Sequence, residues 1–228
     1  MTSTIPPAAE AALLTERYWD FLNFKRRAPV PQYIEIKPNW RELLPCETGA
    51  SGRLIQNALG AAANVLDVGA GDRYYASVFE KLGLACRYAS VDTDSSANME
   101  PHDYSDFLKV SDRFDAIIMF EVIEHLPLDL GVQFLAHARS ILTPGGVLLL
   151  STPNAHHPNH VWRIEVTHVR PWPAPDLYGV LRLVGFESVD IVRQYIVTDR
   201  RRFARSITKT LYCLMELDWA HTIIAVCR

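Results

Sequence analysis

The stretch that decides the fold is Val65-Leu66-Asp67-Val68-Gly69-Ala70-Gly71-Asp72. Its branched apolar residues are typical of a buried parallel strand, and the strand opens into a turn that contains two glycines. Glycine accepts a positive φ and lets a ligand approach the backbone closely. The stretch therefore predicts a parallel α/β sheet with a nucleotide-type cofactor at its carboxyl edge.

The residues around the turn distinguish between possible cofactors. A dinucleotide fingerprint would place a third glycine at position 74, where this chain has Tyr74, and no Gly-Lys-Ser/Thr sequence for a phosphate loop is present. Asp67 would lie unfavourably against a pyrophosphate, but it suits the cationic amino-acid end of another cofactor. These features favour S-adenosylmethionine.

The chain resembles the Rossmann-like S-adenosylmethionine-dependent methyltransferases, whose first motif is also Asp-x-Gly-x-Gly after a strand. The resemblance implies that Asp92, at the end of a second strand Tyr88-Ala89-Ser90-Val91, accepts hydrogen bonds from the ribose hydroxyls. It also implies that Asp103 and Tyr104 contact the adenine. The full set of cofactor-binding residues predicted in this way is Asp67, Gly69, Ala70, Gly71, Asp92, Thr93, Asp103, Tyr104, Phe120 and Glu121.

Further strand signals follow in the order expected for this family. Phe114 to Glu121 is predicted as the fourth strand, Leu142 to Ser151 as a turn into the fifth, and Val189 to Val197 with Thr222 to Val226 as the closing hairpin. The expected fold is α/β: a Rossmann-like, doubly wound, mostly parallel seven-stranded sheet with an antiparallel last strand and an N-terminal helical segment. Residues 1–62 are expected to form a helical cap or lead-in, and residues 63–228 the cofactor-binding domain.

The N-terminal segment has helical patterning from Ala8 to Arg27, which Pro29 and Pro31 end. A second helix is predicted from Gly52 to Leu59. Tyr18, Trp19 and Phe24 either face the cofactor pocket or pack the helix onto the core, and packing is the favoured interpretation.

The sequence Glu121-Val122-Ile123-Glu124-His125 begins where the fourth strand ends. On a helix, Glu121, Glu124 and His125 would share one face. With His168 from a later loop they form a candidate divalent-metal site, which is similar to the arrangement in small-RNA 3′-terminal 2′-O-methyltransferases and in ubiquinone-biosynthesis O-methyltransferases. The alternative is a site without metal, in which His125 orients a loop or acts as a base. His156, His157 and His160 are assigned to a substrate loop.

Methyl transfer to a hydroxyl requires removal of a proton, and a neutral imidazole is a suitable base. His125, His168 and Glu121 are therefore the candidate catalytic residues. Trp162, Arg163, Arg170 and Trp172 are candidates for stacking on the acceptor and neutralising its charge.

Composition limits the classes of partner. The formal net charge is −3, which gives no general attraction to nucleic acid, and the four cysteines form no Cys-x-x-Cys pair. No secretion signal and no membrane span are evident, so a cytoplasmic location is expected. The basic run Arg200 to Arg205 is interpreted as a solvated face rather than as a phosphate or membrane contact.

The sequence thus predicts an S-adenosylmethionine-dependent O-methyltransferase of a small hydroxylated molecule, a sugar or a biosynthetic phenol. Two alternatives stay open: RNA 3′-terminal 2′-O-methylation, and a non-catalytic scaffold that binds S-adenosylmethionine. A dehydrogenase is disfavoured by Tyr74. No oligomeric state is predicted.

Overall fold

The computed structural model describes residues 13–29, 32–36, 45, 47–93, 101–196, 207, 210–211, 214 and 218–228. A sheet of seven strands forms the centre, in the order β1-β6-β7-β5-β4-β2-β3. The strands are β1 (Gln32–Ile36), β2 (Asn64–Val68), β3 (Arg87–Val91), β4 (Phe114–Phe120), β5 (Leu142–Pro153), β6 (Val189–Ile196) and β7 (Thr222–Cys227). Only β7 runs antiparallel to its neighbours β5 and β6. The predicted Rossmann-like class, with an antiparallel last strand, is confirmed.

Helices cover both faces of the sheet. They are α1 (Leu13–Glu16), α2 (Tyr18–Arg26), α3 (Gly49–Leu59), α4 (Tyr74–Lys81), α5 (Leu128–Ile141) and α6 (Ala174–Leu183). Successive strand residues point to opposite faces, so Leu148 packs towards α5 and α6 while Leu149 packs towards α3 and α4. This alternation produces two buried apolar layers, one on each side of the sheet.

Strand β1 corrects the expectation for the N-terminal segment. Residues 32–36 lie inside the region predicted to be a helical cap or lead-in, yet they pair in parallel with β6, from Gln32 opposite Val192 to Ile36 opposite Ile196. A five-residue strand whose partner is about 160 residues away carries little local signal. The N-terminal segment is therefore part of the sheet as well as a helical cap.

The predicted N-terminal helix is interrupted at Arg17, whose φ of −114° and ψ of 33° are not helical. Phe21 of α2 packs against Gly179 of α6, where an added Cβ would lie 2.9 Å from the ring. Tyr18 is 50% exposed and Trp19 is 70% exposed. Packing onto the core thus occurs through Phe21, and the guanidinium of Arg182 in α6 lies over the ring of Phe24, at 5.3 Å from its centroid. Residues 8–12 of the predicted helix lie outside the described residues.

Two further predictions concern features of the whole chain. No helix in the described part of the chain is both long and apolar enough to cross a membrane. Cys86 and Cys227 are free thiols. Cys46 and Cys213 lie outside the described residues.

Candidate functional site

The glycine turn connects β2 to α4 at the carboxyl edge of the sheet. Gly69 and Gly71 have φ values of +72° and +50°, a conformation that a residue with a side chain rarely adopts. The N–H of Gly69 donates to the carbonyl of Val91, at 2.9 Å. A Cβ at Gly69 would lie 2.5 Å from Val122, whereas a Cβ at Gly71 would meet no atom within 4 Å. The turn is thus closely packed at Gly69 and open at Gly71, where a ligand can approach the backbone.

Asp92 lies directly beside this turn. Its Oδ2 accepts a hydrogen bond from the N–H of Gly71, at 2.8 Å, and the residue is half-buried. Thr93, the next residue, is exposed. The carboxylate predicted to bind ribose and the turn predicted to bind the cofactor are therefore held together by one direct hydrogen bond.

Asp67 is a buried acid below the turn, and it is 2% exposed. The hydroxyl of Tyr88 donates to its Oδ2, at 2.6 Å. Burial raises the pKa of Asp67 to about 7. The hydrogen bond from Tyr88 lowers this pKa, whereas the negative charges of Asp92 and Asp72 raise it further. A cationic group near this carboxylate would lower its pKa again, which fits the amino group that the sequence analysis assigned to it.

Asp103 and Tyr104 extend the edge of β3. Oδ2 of Asp103 accepts hydrogen bonds from the backbone N–H and the hydroxyl of Ser90, at 2.9 and 3.1 Å. Desolvation opposes ionisation of Asp103, but the hydrogen bonds from Ser90 outweigh it and lower the pKa. Tyr104 forms a parallel bridge with Val91, and its hydroxyl donates to Asp112. Oδ2 of Asp103 therefore has a structural role, because it ties this residue to β3. The predicted contact of Asp103 and Tyr104 with adenine stays a prediction.

Phe120 and Glu121 end the fourth strand. Phe120 is buried, with its ring centroid 4.6 Å from that of Tyr75. Glu121 has a φ of +53°, which is unusual for a residue other than glycine. Its Oε1 accepts a hydrogen bond from the Ser151 hydroxyl, at 2.7 Å. Burial, and next the charge of Glu124, raises the pKa of Glu121 well above its usual value.

The predicted helical face shared by Glu121, Glu124 and His125 is wrong. After Glu121 the chain forms only a single 3₁₀ turn, from Ile123 to His125, and α5 begins after Pro127. The positive φ of Glu121 is incompatible with a helix that starts at that residue. Glu121 consequently lies beside Ser151 and still close to Glu124, while Glu124 and His125 lie with His168.

Glu124, His125 and His168 form the group that could hold a metal ion. One donor atom from each lies within 4.8 Å of the others. Glu124 is fully buried; its Oε2 accepts a hydrogen bond from the Thr152 hydroxyl, at 3.0 Å. Its Oε1 has no hydrogen-bond partner among the described residues and lies 4.0 Å from Nε2 of His168. An unpaired oxygen on a buried carboxylate is costly, so this atom is suited to a cation.

Backbone carbonyls orient both imidazoles. Nδ1 of His125 lies 3.2 Å from the Thr167 carbonyl, and Nδ1 of His168 lies 2.7 Å from the Trp162 carbonyl. Because a carbonyl only accepts, each Nδ1 donates its hydrogen, and each neutral ring keeps a lone pair on Nε2. Protein metal sites commonly fix histidine ligands in this way.

The loop that carries His168 is attached to the 3₁₀ turn. The carbonyl of Glu124 accepts from the N–H groups of Val169 and Arg170, at 2.8 and 3.0 Å. The indole N–H of Trp172 donates to the carbonyl of Ile123, at 3.1 Å. These contacts bring together two segments that are about 40 residues apart in the sequence.

The second histidine group is divided between surface and interior. His156 and His160 are exposed, whereas His157 is 2% exposed. Burial lowers the pKa of His157 to about 4, and the neighbouring His221 adds to this effect. Nδ1 of His157 accepts from the N–H of Asn159, at 3.1 Å. His157 is thus a buried, neutral residue, and the assignment of this histidine group to a substrate loop stays a prediction.

Sequence reasoning missed the polar residues that support the acids. Tyr88, Ser151 and Thr152 each donate a hydroxyl hydrogen to a buried carboxylate. The sequence did offer a signal for two of them. Ser151 and Thr152 are hydroxyl residues near the end of β5, and the acids Glu121 and Glu124 follow the neighbouring strand β4, so hydrogen bonds between the two sets could have been predicted. Two other candidates from the sequence have different outcomes. The guanidinium of Arg163 lies over the ring of Trp162, at 5.0 Å from its centroid. The basic run Arg200 to Arg205 lies outside the described residues.

Comparisons with known proteins agree with this geometry. A sequence family described as "Methyltransferase domain" matches residues 40–191. A probable S-adenosylmethionine-dependent methyltransferase of Mycolicibacterium smegmatis is 30% identical over 193 residues, 82% of this chain and 64% of that protein. A ubiquinone biosynthesis O-methyltransferase of Bradyrhizobium sp. is 26% identical over 67% of this chain and 64% of its own length. This chain therefore spans just under two thirds of both relatives.

A solved structure supports the fold. A SAM-dependent methyltransferase from Archaeoglobus fulgidus superimposes with a TM-score of 0.61, over 77% of this chain and 90% of that one, at 17% identity. At this level of identity the likeness is one of fold.

Proposed function

We propose, from the premise that this chain belongs to the S-adenosylmethionine-dependent methyltransferase family, that it methylates a hydroxyl group of a small molecule. The observation that carries the proposal is the adjacency of two half-sites at one edge of the sheet. The end of β2, with Gly71 and Asp92, fits the cofactor. The end of β4, with Glu124, His125 and His168, offers groups that bind or deprotonate a hydroxyl.

Three features of the cofactor half-site fit S-adenosylmethionine. Gly71 leaves an open approach to the backbone, and Asp92 beside it accepts hydrogen bonds from vicinal hydroxyls. The buried acid Asp67 suits the amino group. When bound, S-adenosylmethionine supplies a methyl group that is electrophilic because it is attached to a sulfonium. The protein then has to orient the acceptor, exclude water and accept a proton.

The acceptor half-site has donors for a divalent metal. One ring nitrogen from each imidazole and one carboxylate oxygen of Glu124 lie within 4.8 Å of one another, and a mixed nitrogen and oxygen set suits manganese, iron, cobalt or zinc. An ion held there would lower the pKa of an acceptor hydroxyl. Glu121 is retained as the fourth proposed ligand because its carboxylate lies close to that of Glu124; burial, and next the charge of Glu124, raises the pKa of Glu121. Without metal, Nε2 of His125 or His168 is the proposed base.

The choice of a hydroxyl acceptor has separate support. The relative from Bradyrhizobium sp. is named as an O-methyltransferase, and it is similar over 67% of this chain. RNA as the acceptor finds no support in the described residues, because the basic run Arg200 to Arg205 lies outside them. A cytoplasmic location stays part of the proposal.

Titration calorimetry with S-adenosylmethionine is the decisive test. We expect micromolar binding by the wild type, no binding of NAD, and loss of S-adenosylmethionine binding in Asp92→Ala. Asp129→Ala is the matched control, because Asp129 is an exposed carboxylate in the first turn of α5. Wild-type protein that binds no S-adenosylmethionine would overturn the proposal. Tight binding without methyl transfer to any hydroxylated compound would favour a non-catalytic scaffold.

A further inference from the structure

A cavity of about 680 Å³ lies between the N-terminal helices, α6 and residues 170–173. Its walls are mainly apolar and include Leu14, Phe21, Leu22, Leu128 and Trp172. Small-molecule sites in proteins are commonly of this volume and composition. No residue of the cofactor half-site lines it.

The cavity and the acceptor half-site are built from neighbouring residues of the same two segments, although Glu124, His125 and His168 do not themselves line the cavity. Arg170 lines the cavity, and its N–H donates to the carbonyl of Glu124, at 3.0 Å. Leu128, another lining residue, follows His125 by three positions. Trp172 lines the cavity and donates its indole N–H to Ile123. The same two segments thus carry the metal-binding group and form one wall of the cavity.

The charges around the cavity do not balance. Lys25 and Asp176 line it and form an ion pair with each other. Arg170 adds a second cation, and its guanidinium has no ion pair or hydrogen bond with any part of the chain that the structure describes. The lining therefore carries one net positive charge, which belongs to the exposed Arg170 and lies beside the apolar walls.

We infer that this cavity binds the apolar body of the methyl acceptor and that Arg170 binds an anionic group on it, such as a carboxylate or another oxyanion. The inference rests on the proposed function and adds a substrate class to it: an apolar, hydroxylated and negatively charged molecule. Arginine is suited to this contact because its planar guanidinium forms two parallel hydrogen bonds to an oxyanion.

Two fluorescent probes of similar shape test the cavity. Anilinonaphthalene sulfonate is apolar and anionic, and phenylnaphthylamine is apolar and uncharged. We expect both to bind the full chain, and Arg170→Gln to weaken the anionic probe about tenfold while the uncharged probe changes less than about twofold. Thr15→Trp, which fills the cavity from an exposed lining position, is expected to weaken both probes.

Arg26→Gln is the matched control, because Arg26 is exposed at the end of α2 and does not line the cavity. Equal loss of the anionic probe in Arg26→Gln and Arg170→Gln would overturn the inference, as would probes that bind Thr15→Trp unchanged or that displace S-adenosylmethionine. Calorimetry with S-adenosylmethionine separates the two proposals. If the cofactor binds and neither probe does, only the cavity assignment fails; if the probes bind as expected and the cofactor does not, only the proposed function fails.

Discussion

Oε1 of Glu124 and Nε2 of His168 face each other at 4.0 Å, a separation too long for a hydrogen bond. Both side chains are almost completely buried, and Oε1 has no other partner among the described residues. Burial raises the pKa of Glu124 above its usual value. The fold therefore keeps a buried acceptor oxygen unsatisfied at the point where two imidazoles converge.

Glu124→Gln tests this relationship. The amide has nearly the same shape and still accepts a hydrogen bond from Thr152, but it removes the charge that a cation needs. We expect Mn²⁺ binding, measured by electron paramagnetic resonance, to weaken at least about tenfold. The free energy of unfolding without metal is expected to stay equal or to increase, because an uncompensated buried carboxylate is removed. Asp129→Asn, a change at an exposed carboxylate in the first turn of α5, is the control, and Mn²⁺ binding that is unchanged in Glu124→Gln would contradict the metal assignment.

Asp67→Asn tests the buried acid by its pH dependence. The pKa of Asp67 is about 7 in the fold against 3.8 for the free side chain, so the native state holds this proton more tightly. Asp67 therefore reduces stability as the pH rises from 3.8 to about 7. We expect Asp67→Asn to gain stability over the wild type across this range, by at most about 4 kcal/mol. Urea denaturation at several pH values measures the difference; a difference that does not vary with pH would show that Asp67 has an ordinary pKa.

Glu121→Gly tests the positive φ at the end of β4. Glycine adopts a φ of +53° without the steric cost that glutamate has, so we expect a gain of about 1 kcal/mol in the free energy of unfolding. Methyl transfer is expected to fall, because the carboxylate next to Ser151 is lost. His160→Gly, at a φ of +50° and with an exposed side chain, is the control for the backbone effect. A loss of stability in Glu121→Gly would show that the hydrogen bond to Ser151 outweighs the backbone strain.

Gly179→Ala tests how the N-terminal helices attach. The new Cβ would lie 2.9 to 3.0 Å from the ring of Phe21, so we expect a loss of about 1 to 2 kcal/mol, even though alanine favours a helix. In a Phe21→Leu background the ring is absent, and the same substitution is expected to cost less or to stabilise. Chemical denaturation of the four proteins measures this coupling. Equal effects in both backgrounds would mean that Phe21 does not contact Gly179.

Local patterns were sufficient to predict the centre of the fold. Val65 to Asp72 combines an apolar strand with glycines that need positive φ, and both properties depend on neighbouring residues only. Strand β1 was not predictable in this way, because Gln32 to Ile36 become a strand only by pairing with β6. The contact of Phe21 with Gly179 depends in the same way on residues that are distant in the sequence.

In the candidate site, too, some features could be predicted from local sequence and others depend on contacts between distant residues. Glu124, His125 and His168 were predicted together, because the carboxyl ends of neighbouring strands meet at one edge and these residue types bind metals. The position of Glu121 was not predictable, since its positive φ follows from how the backbone meets Ser151 on β5. The hydroxyl of Tyr88 donates to Asp67 from the adjacent strand. This hydrogen bond depends on the side-chain conformations of both residues, which cannot be predicted from the sequence pattern.

The position of β7 affects how the protein is synthesised. β7 follows the other described strands in sequence, but it lies between β5 and β6 and joins the two parts of the sheet. Among the described strands, β6 with β1 is therefore joined to β2–β5 only after Thr222 to Cys227 have been synthesised, and until then both parts expose unpaired strand edges. Sheet closure has to wait for β7, which leaves a period in which the nascent chain depends on protection from aggregation.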